Sequence, residues 1–222
     1  MRATPGAFSR GHPPAPPPPG SLAWPALCLL LIAASALVWL ACASGRASPD
    51  EWMWQPSHWR QRPWTPWTAP LLHRVAAHGV GNALGLAALA MLGTALQATR
   101  ADALALALAW PLGTLALLAW PAIGGHDGLA GPVHAAAAIL AVRALRSPAS
   151  HALGLLLASA LCMKLALERA WAVPVGFDSG WGFNMVYAAH LSSAAIGAAL
   201  ALATWLAYPL LGGQRHKARN AH

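Results

Sequence analysis

Long apolar runs separated by short polar stretches set the plan of this chain. Runs able to cross about 30 Å of hydrocarbon fall near residues 23–43, 71–97, 102–122, 129–146, 151–172 and 184–210. They predict an all-α membrane protein, a six-transmembrane-helix bundle. The first 21 residues, MRATPGAFSRGHPPAPPPPGS, are too proline-rich for a helix and read as a disordered cytoplasmic tail. The run after it is longer than a secretion-signal core and reads as a retained first span. Residues 22–211 form the transmembrane domain on this reading, and residues 212–222 a basic cytoplasmic tail.

Charge orients the bundle. Six crossings put both ends on one side, together with Arg2, Arg10, Arg100, Arg143, Arg146, Arg215, Lys217 and Arg219. Basic residues gather on the cytoplasmic face of multi-pass proteins, so both termini are expected to be cytoplasmic. The first outside loop carries five tryptophans, at 52, 54, 59, 64 and 67. Indole rings favour the headgroup level, so this loop is expected to lie along the membrane interface.

Composition agrees with the pattern. The chain is 57% hydrophobic and 9% charged, against about 25% charged in soluble domains. Its net charge of +8 comes from basic residues scattered singly, which argues against nucleic acid as a partner. Membrane lipid is the partner this composition implies. Cys28, Cys42 and Cys162 lie in apolar stretches without metal-ligand spacing and read as small buried hydrophobes.

Polar groups inside spans are costly and mark candidate sites. The second span carries His73, His78 and Asn82. Spacing of four puts His78 and Asn82 on one face, with His73 about 140° from His78 near the helix entry. GGHDGLAGPVHAAAA, residues 124–138, supplies His126, Asp127 and His134 in a glycine-rich turn, and the sixth span carries His190 beside the small-residue row Ala189, Ser193 and Gly197. Small residues at that spacing let another helix approach closely. At about 1.5 Å rise per residue, His78 stands about 28 Å above Gln97, position 130 about 24 Å above Arg146, and His190 about 27 Å above Tyr208. Equal depth on three spans predicts one shared site. Lys164 and Glu168, four apart on the fifth span, predict a charge pair facing the bundle interior.

These residues resemble a known family. HRVAAHGVGN is similar to the H-x4-H-x3-N pattern of rhomboid intramembrane serine proteases; GLAGPVHA occupies the place of their GxSG turn, and AAHLSSAAIG resembles their AH-x-x-G-x-x-x-G segment. Within the family it looks closest to the rhombosortase branch, which His134, Lys164 and Glu168 also match. The resemblance covers roughly residues 60–205. It implies a rhomboid-like bundle in a bacterial inner membrane and a serine endopeptidase chemistry, with His190 as base and His78 and Asn82 as oxyanion donors. Gly128 and Gly131 would then shape the turn, His73 would brace the first loop, and His134 would pack near His190. No cofactor or metal follows from it.

The departure lies at Ala130, which stands where the family has its nucleophilic serine. A methyl group cannot attack a carbonyl, and a hydrolase without its nucleophile keeps only the residual rate of its binding and oxyanion site. Three readings stay open: a pseudoprotease that binds transmembrane-anchored clients, a serine endopeptidase that cuts C-terminally anchored substrates, and a haem or metal protein using His73, His78, His134 and His190. Against the last, no carboxylate is expected to complete a ligand set with these imidazoles.

Overall fold

The computed structural model describes residues 21–219, with side chains through residue 206. The proline-rich stretch 1–20 and residues 220–222 lie outside the described residues. Eight α-helices follow in order: α1 (Ala23–Ala43), α2 (Pro49–Trp52), α3 (Thr65–Thr68), α4 (Ala76–Ala95), α5 (Arg100–Leu115), α6 (Ala130–Leu145), α7 (His151–Glu168) and α8 (Tyr187–Arg219). The protein is mostly helical, and among the described residues five segments are long and apolar enough to cross a membrane: Ala23–Ala43, Ala76–Ala95, Arg100–Ala119, Pro148–Glu168 and Tyr187–Leu206. Such a set of helices fits a multi-pass integral membrane protein.

The expected fourth span, residues 129–146, corresponds to α6 and is a different object. Its 16 residues reach only about 24 Å, short of a full bilayer crossing. Its first residues Ala130, Gly131 and Pro132 are already buried. Apolar residues surround α6, and it packs against α4, α5, α7 and α8. Its alanines at 135, 136, 138, 141 and 144 are all buried, and such small side chains allow close helix approach. On α8, a side chain added at Gly197 would meet the backbone of Ala135 within 3 Å, and one at Gly131 would meet Ser193 Oγ at 2.8 Å. The small-residue row on α8 is therefore the seam that fits it to α6.

Other expectations need correction. The second span begins at Ala76 rather than near residue 71, because Leu72 and Val75 are extended. His73 lies in the connecting loop, not on the helix. The all-α expectation meets a short antiparallel hairpin between α7 and α8, β1 (Gly176–Asp178) paired with β2 (Phe183–Met185). The backbone of α8 continues to Arg219, so residues 212–219 are helical. Cys28 is buried as expected, whereas Cys162 is exposed on α7.

The first loop is folded. Trp64 and Trp67 are exposed, as an interfacial loop requires. Trp54 departs from that expectation: it is fully buried and pairs with His126 through two backbone hydrogen bonds of 2.9 and 3.2 Å. The first loop thereby buttresses the glycine-rich turn. At the opposite end of the bundle, Thr99 and Asp102 form a capping box at the start of α5, and Arg143 reaches Asp102 at 2.9 Å. Arg143 also donates to the Leu96 and Gln97 carbonyls, which ties the ends of α4, α5 and α6 together.

Candidate functional site

The turn before α6 organises the site. Gly128 has φ +104°, a backbone state that favours glycine because a Cβ there clashes. Its N–H donates to the Ala69 carbonyl at 3.0 Å, and a side chain added to it would meet His78 Cε1 at 3.1 Å. Glycine at 128 thus serves both the turn and the approach of His78. Ala130 and Gly131 open α6, in the turn whose N–H groups have no intrahelical acceptor, and Pro132 has no N–H to satisfy.

Two polar clusters flank this helix start. The first joins α1, the loop before α4, and α4. The Leu129 N–H donates to His73 Nε2 at 3.2 Å, so that nitrogen carries the lone pair and His73 Nδ1 carries the proton. Nδ1–H then donates to Ser35 Oγ at 3.0 Å, and Ser35 passes its own proton to the Leu71 carbonyl at 2.8 Å. Asn82 Nδ2 reaches His73 Nε2 at 3.1 Å and His78 Nε2 at 3.0 Å. One amide with two protons meets two imidazole lone pairs. The direction of every bond is consistent, and the Ser35–His73 contact runs the wrong way for a nucleophile and base: the histidine donates.

The second cluster joins α6, α7 and α8. His190 Nδ1 donates to Glu168 with both carboxylate oxygens at 2.9 Å. Lys164 Nζ donates to Glu168 Oε1 at 2.6 Å. His134 stacks flat on His190, ring centroids 4.2 Å apart and planes within 5°, while its Nδ1 donates to the Ala130 carbonyl at 2.6 Å. Both rings are buried. With Nδ1–H donating in each, Nε2 is the remaining ring nitrogen of both, and no hydrogen bond among the described residues engages either one.

The expected residues therefore converge, with three changes of detail. His73 braces the turn at Leu129 as well as the first loop. Of the charge pair, only Glu168 faces inward; its side chain is 11% exposed against 53% for Lys164. A carboxylate does stand beside two of the imidazoles: ligand-type atoms of His134, Glu168 and His190 lie within 4.8 Å of one another, with Glu168 accepting the His190 Nδ1–H. Ala130 is buried one turn above His134 and offers only a methyl. The serines on α8 do not substitute: Ser192 Oγ donates to the Gly113 carbonyl at 3.0 Å, and Ser193 packs against Gly113 and Gly131.

Some participants carried little sequence signal. Ser35 is one serine in an apolar run, and nothing in the sequence pairs it with His73. Trp181 and Phe183 of the hairpin pack on His78 at ring separations of 5.4 and 5.1 Å, and a side chain at Gly81 would meet Trp181 at 3.0 Å. The hairpin thus covers the α4 side of the site. Asp127, outside the turn proper, pairs with Arg74 at 3.0 Å. Burial pushes the Asp127 carboxyl up, and Arg74 opposes that shift. His126 is buried in the same turn with its Nδ1 unpartnered. Burial, helped by the imidazoles of His190, His78 and His73, pushes it down to about 3. It is neutral in the fold.

Compared with known proteins, the chain matches no protein-family model and no curated protein.

Proposed function

We propose that this chain is a rhomboid-like intramembrane protein whose serine-protease site has lost its nucleophile. On this reading α6 is the short fourth span of a six-span bundle, both termini are cytoplasmic, and the membrane is a bacterial inner membrane. The protein holds transmembrane anchors of other proteins without cutting them. The observation that carries the reading is the surround of Ala130: an aligned base on one side, His190 oriented by Glu168, and an amide with two imidazoles on the other. A serine at position 130 would complete a nucleophile–base arrangement, and helix-start N–H groups would supply oxyanion donors. Alanine cannot.

The test is Ala130→Ser in the full chain, reconstituted in lipid with a substrate that carries a C-terminal membrane anchor. The expected result is cleavage at least about 100-fold above the native chain, abolished by adding His190→Ala. Equal cutting by the native chain would overturn the pseudoprotease reading and favour a working hydrolase. No cutting by Ala130→Ser, with the fold intact, would overturn the assignment of position 130.

A further inference from the structure

We infer that the cleft between α1 and α4 holds one phospholipid whose headgroup carries both a phosphate and a primary ammonium, as phosphatidylethanolamine does. The inference stands apart from the pseudoprotease reading and needs only that these two helices span a membrane.

Two adjoining cavities have the shape of that molecule. The inner one, about 200 Å³, runs between the helices, with Ile32 and Ala36 of α1 facing Ala76, Gly79, Val80 and Ala83 of α4. The outer one, about 390 Å³, lies over Asp50 and Arg74. Trp39 and His73 line both, so the two meet at these rings. From Trp39 to Ile32, and from Ala76 to Ala83, the apolar walls run about 10 Å along each helix. Charged groups therefore stand at the mouth, an indole marks the headgroup level, and hydrocarbon surface continues below.

The cleft is open because its walls are small. A side chain added at Gly79 would meet His73 Cγ at 3.2 Å, so glycine there leaves room for the ring at the floor. Ser35 and His73 are the polar groups of that floor, and both are engaged inside the protein. Ser35 Oγ donates to the Leu71 carbonyl and accepts from His73 Nδ1, while His73 Nε2 accepts from Leu129. An acyl chain thus meets apolar surface with no polar group left to satisfy, and its presence keeps water from the His73 network.

The mouth selects the headgroup. Arg74 gives its Nε–H to Asp127 and Nη2 to Met53 Sδ, with Asp50 at a long 3.5 Å; its Nη1 has no partner among the described residues. The guanidinium is half exposed and can donate to a phosphate oxygen. Asp50, with its side chain 77% exposed, is held over the opening by Arg62, which donates to its carbonyl at 2.8 Å. With Asp50 and Asp127 both beside Arg74, the mouth repels a headgroup that carries only negative charge. A primary ammonium offsets that repulsion and donates N–H bonds to Asp50, which a choline group, without N–H, does not.

The probes are phosphatidylethanolamine, phosphatidylcholine and phosphatidylglycerol with identical acyl chains. The full chain is placed in nanodiscs of the three in equal parts and released in a mass spectrometer, where retained lipid is counted and identified. The expected result is one lipid per chain, with phosphatidylethanolamine favoured at least about threefold over each of the others. Asp50→Asn is expected to remove the preference over phosphatidylcholine. Arg74→Gln is expected to lower retention of all three about fivefold. Ala36→Phe, at an exposed position of α1, fills the cleft and is expected to lower it at least as much. No retained lipid, equal retention of the three by the native chain, an unchanged preference in Asp50→Asn, or unchanged retention in Arg74→Gln or Ala36→Phe would each overturn the site. Displacement of the lipid by an equimolar transmembrane peptide would assign the cleft to protein anchors and overturn it as well. None of these readouts depends on cleavage, so they fail separately from the Ala130→Ser test.

Discussion

The two histidine pairs beside Ala130 are built on different plans. On the α4 side, His73 and His78 share one asparagine amide, and His73 uses both ring nitrogens, Nδ1 to Ser35 and Nε2 from Leu129 and Asn82. On the α6–α8 side, His134 and His190 each use Nδ1 and leave Nε2 unengaged, with a carboxylate between them and Lys164. A buried hydrogen-bonded network of this kind fixes packing, because any member removed leaves a buried partner unsatisfied. On the proposed reading the base lies in the other pair, beside the carboxylate, where His190 Nε2 is unengaged.

Substitutions on the two sides should therefore differ in their effect on rate. The largest expected effect is on the α6–α8 side. In the Ala130→Ser background, Glu168→Ala is expected to slow cleavage by about 10³-fold or more, since an unoriented imidazole loses its working tautomer, and to lower the melting temperature as well, since the buried His190 Nδ1–H loses its acceptor. A rate loss under threefold, measured on reconstituted protein, would show that Glu168 does not orient the base.

Acid comes next, and it reads the glycine-rich turn between the clusters. His126 is held neutral at about 3, below its ordinary value of 6.5. The unfolded chain takes up a proton below pH 6.5 and the fold does not, so stability present above pH 6.5 is lost towards pH 3, at about 1.4 kcal/mol per pH unit for this group. Asp127, pushed up by burial, works in the opposite sense and partly offsets the loss. Thermal melts from pH 7 to pH 4 should show a shallower slope in His126→Leu than in the native chain; identical slopes would remove His126 as a cause.

On the α4 side, Ser35→Ala leaves the buried His73 Nδ1–H without its acceptor. That is expected to cost about 1–3 kcal/mol, read as a lower melting temperature; an unchanged melting temperature would remove this bond as a support of the fold. The smallest effect is expected from Arg74→Ala. Its ion pairs with Asp127 and Asp50 are solvent-exposed on the arginine side, and such pairs contribute about 0–1 kcal/mol.

Much of this arrangement was legible before any coordinates. The i,i+4 spacing of His78 and Asn82 put them on one face, and Asn82 does bond His78. The Ala189–Ser193–Gly197 row named the seam against α6, because small side chains at that spacing leave backbone open to backbone. Equal depth along three runs predicted that His78, the turn and His190 would meet. The reading failed where geometry depends on the loop. His73 counted as helical because the apolar run continued through it, yet the helix starts three residues later, which frees His73 to bond both Ser35 and Leu129. Lys164 and Glu168 read as one pair with one direction, whereas the longer lysine stem turns outward.

Sequence by itself determined that this is a membrane protein of apolar helices, that its polar groups are concentrated at one level, and that position 130 carries a methyl. These are matters of composition, period and identity, all local to the chain. Only the tertiary structure decided which nitrogen of each histidine is occupied, that Glu168 reaches His190 from another helix, and that a hairpin packs over His78. Those outcomes depend on contacts between residues far apart in sequence, and a hydrogen-bond partner is chosen by proximity in space, for which spacing along one helix carries no information.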